Sequence, residues 1–294
     1  EGDEIITTPY TFYATIGAIV TLGAKPIFVD IQEDYNIDPT LIEKAITKKT
    51  KAILPVHWSG RICDMKKIKL ISKKYKIPIV EDACQSILAS INNKNAGTWS
   101  DFGAFSLHPL KNINVWSDGG VIVTSNKTYY EKLKLLRNHG LIDRDTVKIC
   151  GYNSRLDTFQ AVVGNWLIPK AKQIAKKRIQ NAKLLDLGLG KIKQISIPPR
   201  IKNYKIVYHL YIVFAEQRNE LLKYCLKKGI EAKIHYPKPI YLQEAVKFLS
   251  HKKGDFPITD LHAKKIISFP CDQHLSISQI KYIIKTVSNF YRKK

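Results

Sequence analysis

Residues 52–84, AILPVHWSGRICDMKKIKLISKKYKIPIVEDAC, predict a strand, an amphipathic helix and a second strand in succession. The apolar run Ala52–Val56 predicts the first strand, although Pro55 weakens it because proline donates no hydrogen bond to a sheet. Asp64–Tyr75 has the 3.6-residue apolar spacing of a helix, and Ile77–Val80 is a short apolar strand. Two strands joined through a helix form a parallel βαβ unit, so this stretch predicts an α/β fold.

The alternation of strand and helix continues on both sides of this unit. The further elements predicted in the first half are helix Thr11–Gly23, strand Pro26–Val29, helix Pro39–Ile46, strands Gly103–Ser106 and Gly120–Thr124, and helix Tyr129–His139. Those predicted in the second half are a helical stretch Arg155–Leu187 interrupted at Pro169, strand Val207–Phe214, helix Asn219–Lys228, strand Glu231–His235, and helices Thr259–Ile267 and Ser276–Tyr291. Because the pattern changes to α+β, we predict a large domain over residues 1–170 and a smaller C-terminal domain over residues 171–294.

Polar residues stand where several predicted strands end. Asp30 follows one strand, His57 follows the next, and Asp82 closes the third. Ligands of parallel sheets bind beyond the carboxyl ends of the strands. These three positions are therefore the first candidates for chemistry, although an aspartate after a strand is more often a helix cap or a turn residue.

The charge of the chain indicates which kinds of partner to expect. The 48 basic and 25 acidic side chains give +23, but only eight of the cations are arginine. Arginine is the side chain preferred for bidentate binding of phosphate and guanine, and the lysines are spread over the whole sequence. We therefore favour a lysine-rich solvated surface over a nucleic-acid groove and expect no nucleic-acid partner.

Cysteine usage and hydropathy argue about the compartment. The five cysteines are scattered without a C-x-x-C spacing, which argues against a disulfide framework or a zinc site. No apolar run is long enough for a membrane span, and no signal peptide opens the chain. We expect a cytoplasmic protein without a membrane partner or a bound metal.

Four short segments become informative when they are taken together. Each alone has an ordinary structural explanation, since one lysine among many is usually exposed and one phenylalanine is usually core. The segments are Thr11-Phe-Tyr-Ala-Thr15, Glu81-Asp-Ala-Cys-Gln85, Ser106-Leu-His-Pro-Leu-Lys111 with Asp118-Gly-Gly120, and Gly151-Tyr-Asn-Ser-Arg-Leu-Asp157. With these motifs the chain resembles the nucleotide-sugar aminotransferases of the DegT/StrS type, over nearly its whole length. Further shared stretches are Gly2-Asp-Glu-Ile-Ile6, Leu22-Gly-Ala-Lys-Pro26, Pro55-Val-His57, Arg137-Asn-His-Gly140 and His235-Tyr-Pro237.

The resemblance implies a fold and a cofactor. It implies the three-layer α/β/α fold of the fold-type-I, aspartate-aminotransferase-like enzymes, with a mostly parallel central sheet, and it implies pyridoxal 5'-phosphate (PLP). Lys111 would form the Schiff base with PLP and then move the proton between substrate and cofactor. Asp82 would face the pyridine nitrogen and keep the ring protonated, and Gln85 would bind the phenolic oxygen.

The other implied site residues surround the ring and the phosphate. Phe12 would stack on the ring, and Ser106 would donate to the phosphate. Asn153 would reach the phosphate of the neighbouring subunit, because the sites of this family are built at the interface of a homodimer. His235 is a weaker candidate for a substrate contact, and the nearby His57, His108 and His139 are better explained as substrate or structural contacts than as proton carriers.

The activity that the resemblance implies is transfer of an amino group from glutamate to a nucleotide-linked keto-sugar, for amino-sugar and surface polysaccharide or lipopolysaccharide synthesis. One alternative is a dehydratase of the same family, in which histidine replaces the Schiff-base lysine; Lys111 argues against it. A second alternative is a non-catalytic binding or regulatory protein of the same fold. The resemblance also implies a phosphate-binding segment before Gly2, so we expect Glu1 not to mark the start of the protein.

Overall fold

The computed structural model describes residues 1–292. In chain order the strands β1 to β12 are Glu4–Thr7, Lys25–Phe28, Thr50–Ile53, Val80–Asp82, Ser90–Ile91, Lys94–Asn95, Phe102–Ser106, Gly120–Val123, Ile195–Ser196, Tyr204–Lys205, Tyr211–Ala215 and Ile266–Phe269. The helices α1 to α9 are Tyr13–Val20, Pro39–Ala45, Met65–Tyr75, Lys127–Arg137, Thr158–Leu167, Ala171–Leu189, Arg218–Lys227, Pro257–Lys265 and Ile277–Arg292.

The first half of the chain builds a twisted, mostly parallel sheet. Strand β1 pairs in parallel with β2 and β3, and β7 pairs in parallel with β4 and antiparallel with β8. Single parallel bridges, Ile53 to Ile79 and Val56 to Asp82, join the two groups. The resulting order is β2-β1-β3-β4-β7-β8, with β8 as the antiparallel member. This confirms the predicted α/β class with a mostly parallel central sheet.

Helices cover both faces of this sheet because successive strand residues point to opposite sides. On one face, Ile42 of α2 and Ile68 of α3 pack with Ile6 of β1 in a buried apolar cluster. On the other face, Ile16 of α1 packs with Phe28 of β2. Asp64 caps the N-terminus of helix α3, because its carboxylate accepts from the Lys67 backbone N–H at 3.2 Å.

The C-terminal part has its own antiparallel sheet, in the order β12-β11-β9. Its core joins that sheet to α6, α7 and α9. Helix α6 starts at the predicted boundary but contributes Ala175 to the first core and Leu185 to the second. The division at residue 170 therefore falls at a helix that is shared by both cores, and it stays a prediction.

Several predicted elements have different ends in the structure. The strand predicted at Ile77–Val80 is instead β4, because Asp82 exchanges backbone hydrogen bonds with Pro55 and His57. The helix predicted at Thr259–Ile267 ends at Lys265, where the apolar run of β12 begins to pair with β11. The strand predicted at Glu231–His235 is irregular and forms one bridge, from Lys233 to Ser268.

Asp30, a strand-end candidate for chemistry, has a structural role. Its carboxylate accepts from the backbone N–H groups of Ile258 and Thr259, both at 3.0 Å, and from the Thr259 hydroxyl at 2.7 Å. These are unpaired donors of the first turn of α8, so Asp30 caps a helix more than 220 residues away in sequence. This contact holds the C-terminal region against the central sheet.

Glu81 is a fully buried carboxylate with a full set of donors. It accepts from His57 Nε2 at 2.9 Å, from the backbone of Gly97 and Trp99 at 2.7 Å, and from the backbone and hydroxyl of Ser100. Burial alone would raise the pKa of Glu81, but the hydrogen bonds from His57, Ser100 and Gly97 outweigh it and the pKa is lowered from 4.5. His57 Nδ1 accepts from the Cys63 N–H, so the imidazole is fully used in this buried network.

We expect Glu81→Ala to lower the free energy of unfolding by about 3 to 5 kcal/mol, because it leaves several buried donors unpaired. Chemical denaturation at neutral pH measures this. The matched control is Glu43→Ala, since the partly exposed Glu43 carboxylate accepts from Lys74 Nζ at 2.9 Å and from the Tyr75 hydroxyl at 3.3 Å at the surface, and its removal should cost about 0 to 1 kcal/mol.

The pH dependence has a definite sign. A carboxylate whose pKa is lowered by folding stabilises the protein above its unfolded pKa, and the benefit disappears as the pH falls through the lowered folded value. The difference between the parent and Glu81→Ala should therefore shrink at pH values below 4.5. Equal stability of the parent and Glu81→Ala at neutral pH would contradict the role given to Glu81.

Candidate active site

A cavity of about 360 Å³ opens at the carboxyl ends of the central strands. Both halves of the chain line it. Six of the seven predicted site residues meet there: Phe12, Asp82, Gln85, Ser106, Lys111 and His235.

Asp82 is held in place at the end of β4. Its Oδ2 accepts from the Thr15 hydroxyl at 2.7 Å, and its Oδ1 accepts from the Cys84 backbone N–H at 3.1 Å. Thr15 lies on α1 and also shares a hydrogen bond with the Thr11 hydroxyl. Because α1 and β4 both hold the carboxylate, Asp82 presents a fixed anion to the cavity.

Lys111 lies in the turn that follows β7. Its backbone N–H donates to the His108 carbonyl at 2.8 Å, and the neighbouring Asn112 side chain donates to the Val207 carbonyl at 3.1 Å. Burial lowers the pKa of the Lys111 amine, while nearby Cys84 and Asp82 act in the opposite direction. At neutral pH, a lysine with a lowered pKa has a larger fraction of neutral amine, the form that acts as a nucleophile and accepts a proton, than an exposed lysine.

Gln85 and Phe12 line the same cavity as Asp82 and Lys111. The Gln85 Oε1 accepts from the Ser59 backbone N–H at 2.6 Å, which orients the amide and leaves its NH₂ group as the donor. The Phe12 ring is 59% exposed, an unusual state for a large apolar side chain next to a cavity. A flat ring in such a place can stack on a planar ligand.

Ser106 and His108 form the turn between β7 and Lys111. The Ser106 hydroxyl accepts from the His108 backbone N–H at 3.3 Å and lines the cavity. The His108 Nδ1 accepts from the Leu110 N–H, and its Nε2 lies 3.9 Å from the Asp118 carboxylate. The turn therefore brings a hydroxyl, an imidazole and the Lys111 amine to one side of the cavity.

Asn153 does not line the cavity. Its side chain is exposed, and its backbone pairs with Asn138 in a single antiparallel bridge. His139 is exposed near the same place and donates its backbone N–H to the Tyr152 carbonyl. Within one chain, the Tyr152–Leu156 region is thus separate from the site that contains Lys111.

Sequence reasoning missed His209. It lines the cavity beside Lys111, although it lies inside a predicted strand with no motif around it. In the structure β11 starts only at Tyr211, so His209 belongs to the connection before the strand. Only the tertiary packing of the two halves places this imidazole at the site.

Residues 1–292 contain no helix that is both long and apolar enough to cross a membrane. Within the same range, no group of three or more His, Cys, Asp or Glu side chains could hold a metal ion.

A mostly parallel sheet with a buried lysine and a fixed aspartate at its carboxyl edge is the arrangement of a PLP-dependent aminotransferase. The chain belongs to the DegT/DnrJ/EryC1/StrS aminotransferase family, whose match covers residues 1–288. Pyridoxal phosphate is therefore its cofactor, as the sequence predicted.

Known relatives have similar sequences and the same fold. The chain is 36% identical to a UDP-2-acetamido-2-deoxy-3-oxo-D-glucuronate aminotransferase of Pseudomonas aeruginosa, over 98% of this chain and 79% of that protein. It is also 36% identical to a pleiotropic regulatory protein of Geobacillus stearothermophilus, over 99% and 79% of the two chains. The crystal structure of S. venezuelae DesV with a ketimine intermediate superposes with a TM-score of 0.96 at 33% identity, over 98% and 78% of the chains. The chain thus spans about four fifths of the length of these relatives.

The cavity fits the cofactor in its chemistry. It has a lysine with a lowered pKa, an aspartate fixed by two donors and an exposed aromatic ring, which are the groups that a cationic pyridine with a reactive carbonyl requires.

We expect iodoacetamide to modify Cys84 more than about tenfold more slowly than Cys150 in the folded holoenzyme. Burial and the adjacent Asp82 charge raise the pKa of the Cys84 thiol, whereas Cys150 is exposed. Peptide mass mapping over time measures both rates. In denaturant the two should become similar, and similar rates in the folded protein would contradict the cavity described here.

Proposed function

We propose that the protein transfers an amino group from glutamate to a keto-sugar linked to a nucleotide, and that the product is used for surface polysaccharide or lipopolysaccharide synthesis. Relatives that are named as transaminases of dTDP- and UDP-linked sugars support the substrate class. The observation that carries the proposal is that Lys111 and Asp82 line one cavity.

Lys111 is the proposed catalytic base. Because burial lowers its pKa, a larger fraction of the amine is neutral at physiological pH than for an exposed lysine. PLP, when bound, supplies an electron sink for the negative charge left on carbon. The Lys111 amine is proposed to remove a proton from the substrate carbon on one side of the transferred nitrogen and to return it to the cofactor carbon on the other side, which requires a single mobile base.

The other residues bind and orient. Asp82, fixed by Thr15 and the Cys84 N–H, is proposed to hold the pyridine N–H. The Gln85 NH₂ group is proposed to donate to the phenolic oxygen, and the Ser106 hydroxyl to the phosphate. The exposed face of Phe12 is proposed to cover the ring.

Two other functions have weaker support. A dehydratase of this family would carry histidine in place of Lys111, so the amine favours transamination. A regulatory role has the support of two similar proteins with a regulatory or sensory name. The burial that lowers the pKa of Lys111 favours catalysis, because a protein that only binds has no use for such an amine.

We also propose a cytoplasmic homodimer. Five free cysteines suit a reducing compartment. Large apolar side chains that are exposed in the single chain, Leu110, Trp116, Phe159 and Trp166, suit a surface covered by a second copy. Trp116 and Phe159 lie together, with their ring centroids 6.3 Å apart.

We expect Lys111→Ala to abolish turnover and to prevent covalent fixation of the cofactor by borohydride, because no other lysine among residues 1–292 lines the cavity. Mass mapping of the reduced parent protein should place the label on Lys111, and glutamate with a panel of nucleotide-linked keto-sugars should give an aminated product by mass detection. Lys202→Ala, at an exposed position, is the matched control and should be labelled like the parent. A full-length parent that ignores PLP would favour the regulatory function instead.

We expect subunits carrying Lys111→Ala and subunits carrying Asn153→Ala to complement each other when mixed. If Asn153 reaches the site of the neighbouring subunit, a mixed dimer regains one intact site, although each variant alone is inactive or weak. Activity after co-refolding, with light scattering to measure the dimer, tests this. A mixture no more active than the sum of the separate variants would place Asn153 outside the site.

A further inference from the structure

His108, His209 and His235 line the cavity and have no role in the proposed cofactor contacts. Of these, His209 and His235 come from the C-terminal half, and Lys111, His235 and His108 are all among the groups that lower the pKa of His209. What His209 and His235 recognise depends on the proposed function, on which the following inference rests.

His209 is held rigidly by its neighbours. The Tyr208 carbonyl accepts from Arg178 Nη1 at 2.8 Å, and the Leu210 N–H donates to the Ser59 carbonyl at 3.3 Å. The His209 Nδ1 is buried without a hydrogen-bond partner, whereas Nε2 is the ring nitrogen left accessible from the cavity.

The neutral His209 ring carries its single proton on Nε2. Burial, followed by the positive charges of Lys111 and Arg178, holds the pKa well below its ordinary value, so the ring is neutral and carries one N–H. A buried N–H without a partner is costlier and rarer than an unused lone pair. Nδ1 therefore carries the lone pair, and Nε2 presents a donor to the cavity.

His235 has the opposite polarity. Its Nδ1 lies 2.8 Å from the Ser268 hydroxyl, which itself donates to the Lys233 carbonyl at 3.1 Å. Both contacts are satisfied only when Nδ1 carries the proton and donates to Ser268. Burial lowers the pKa of His235 to about 4, so its Nε2 is an unprotonated acceptor at neutral pH.

We propose that His209 and His235 together bind a hydroxyl group of the keto-sugar, on a carbon next to the ketone. The hydroxyl oxygen accepts from His209 Nε2–H and its proton is donated to His235 Nε2. A carbon next to the ketone is indicated because both imidazoles line the same cavity as Lys111, where the reacting carbon is proposed to lie.

The donor and acceptor pair excludes other ligand groups. A carboxylate oxygen would face the lone pair of His235, and an ammonium group would face the N–H of His209. A hydroxyl group satisfies both nitrogens at once, because one atom accepts and donates. The pair therefore makes the site selective for a sugar that has kept this hydroxyl group.

The test compares two variants of one residue with two substrates. In His209→Gln the amide nitrogen replaces the Nε2–H donor, and in His209→Phe the ring remains but the donor is lost. The substrates are a nucleotide-linked keto-sugar with a hydroxyl group next to the ketone and its deoxy analogue. The kcat/KM of His209→Phe for the hydroxylated sugar should fall about tenfold to thirtyfold, whereas His209→Gln should stay within about threefold of the parent.

With the deoxy analogue, the parent and His209→Phe should have the same kcat/KM, because the hydrogen bond is absent in both. PLP affinity, from absorbance titration of the apoenzyme, should not change in any variant. His274→Phe, at an exposed histidine, controls for the substitution itself and should match the parent with both substrates.

Two results would overturn the inference: an equal loss of His209→Phe on both substrates, or a loss in His209→Gln as large as in His209→Phe. Either would make His209 a packing residue. A parent enzyme that aminates no nucleotide-linked keto-sugar would refute the proposed function instead, and this outcome is visible before any variant is made.

Discussion

The buried carboxylate of Glu81 is the constraint on which the site depends. Placing a charge in the core is unfavourable unless hydrogen bonds replace its water, and here donors from His57, Gly97, Trp99 and Ser100 do so. His57 lies in the segment after β3, and Gly97, Trp99 and Ser100 lie in the loop before β7. The Glu81 carboxylate therefore fixes both of these segments to the end of β4. Because side chains alternate along a strand, the next residue, Asp82, points away from this network and into the cavity.

Asp30, His57 and Asp82 each stand at or after the end of a strand of the central sheet, but only Asp82 lines the cavity. Asp30 is used to cap α8, and His57 is used to saturate Glu81. The remaining wall comes from the C-terminal half, which Tyr10 holds in place by accepting from the Tyr236 N–H at 2.8 Å and donating to the His235 carbonyl. The site is thus complete only when both halves are packed, and Asp30, which lies outside the cavity, contributes to this packing through α8.

Local sequence patterns predicted much of the fold and of the site. The βαβ periodicity predicted the central sheet, and short motifs brought Lys111, Asp82 and Gln85 to one cavity because all three lie within a few residues of strand ends. His209 could not be found in this way, since its place depends on contacts of Tyr208 and Leu210 with Arg178 and Ser59, far away in sequence. For Asn153 the limit is different, because its predicted target lies on another subunit and a single chain cannot contain that contact.

The large positive charge and the lowered pKa of Lys111 can be explained together. A net charge of +23 creates an attractive field for anions such as a nucleotide diphosphate or PLP, and most of the 48 cations exert it from the surface, where they remain hydrated. Lys111 differs because burial penalises its charged form. The same residue type therefore occurs in two settings. On the surface its hydrated charge attracts anions over a distance, and in the cavity burial favours the neutral amine that the proposed proton transfer requires. The packing of the C-terminal half provides this burial, since His209, His235 and Tyr236 line the cavity together with Lys111.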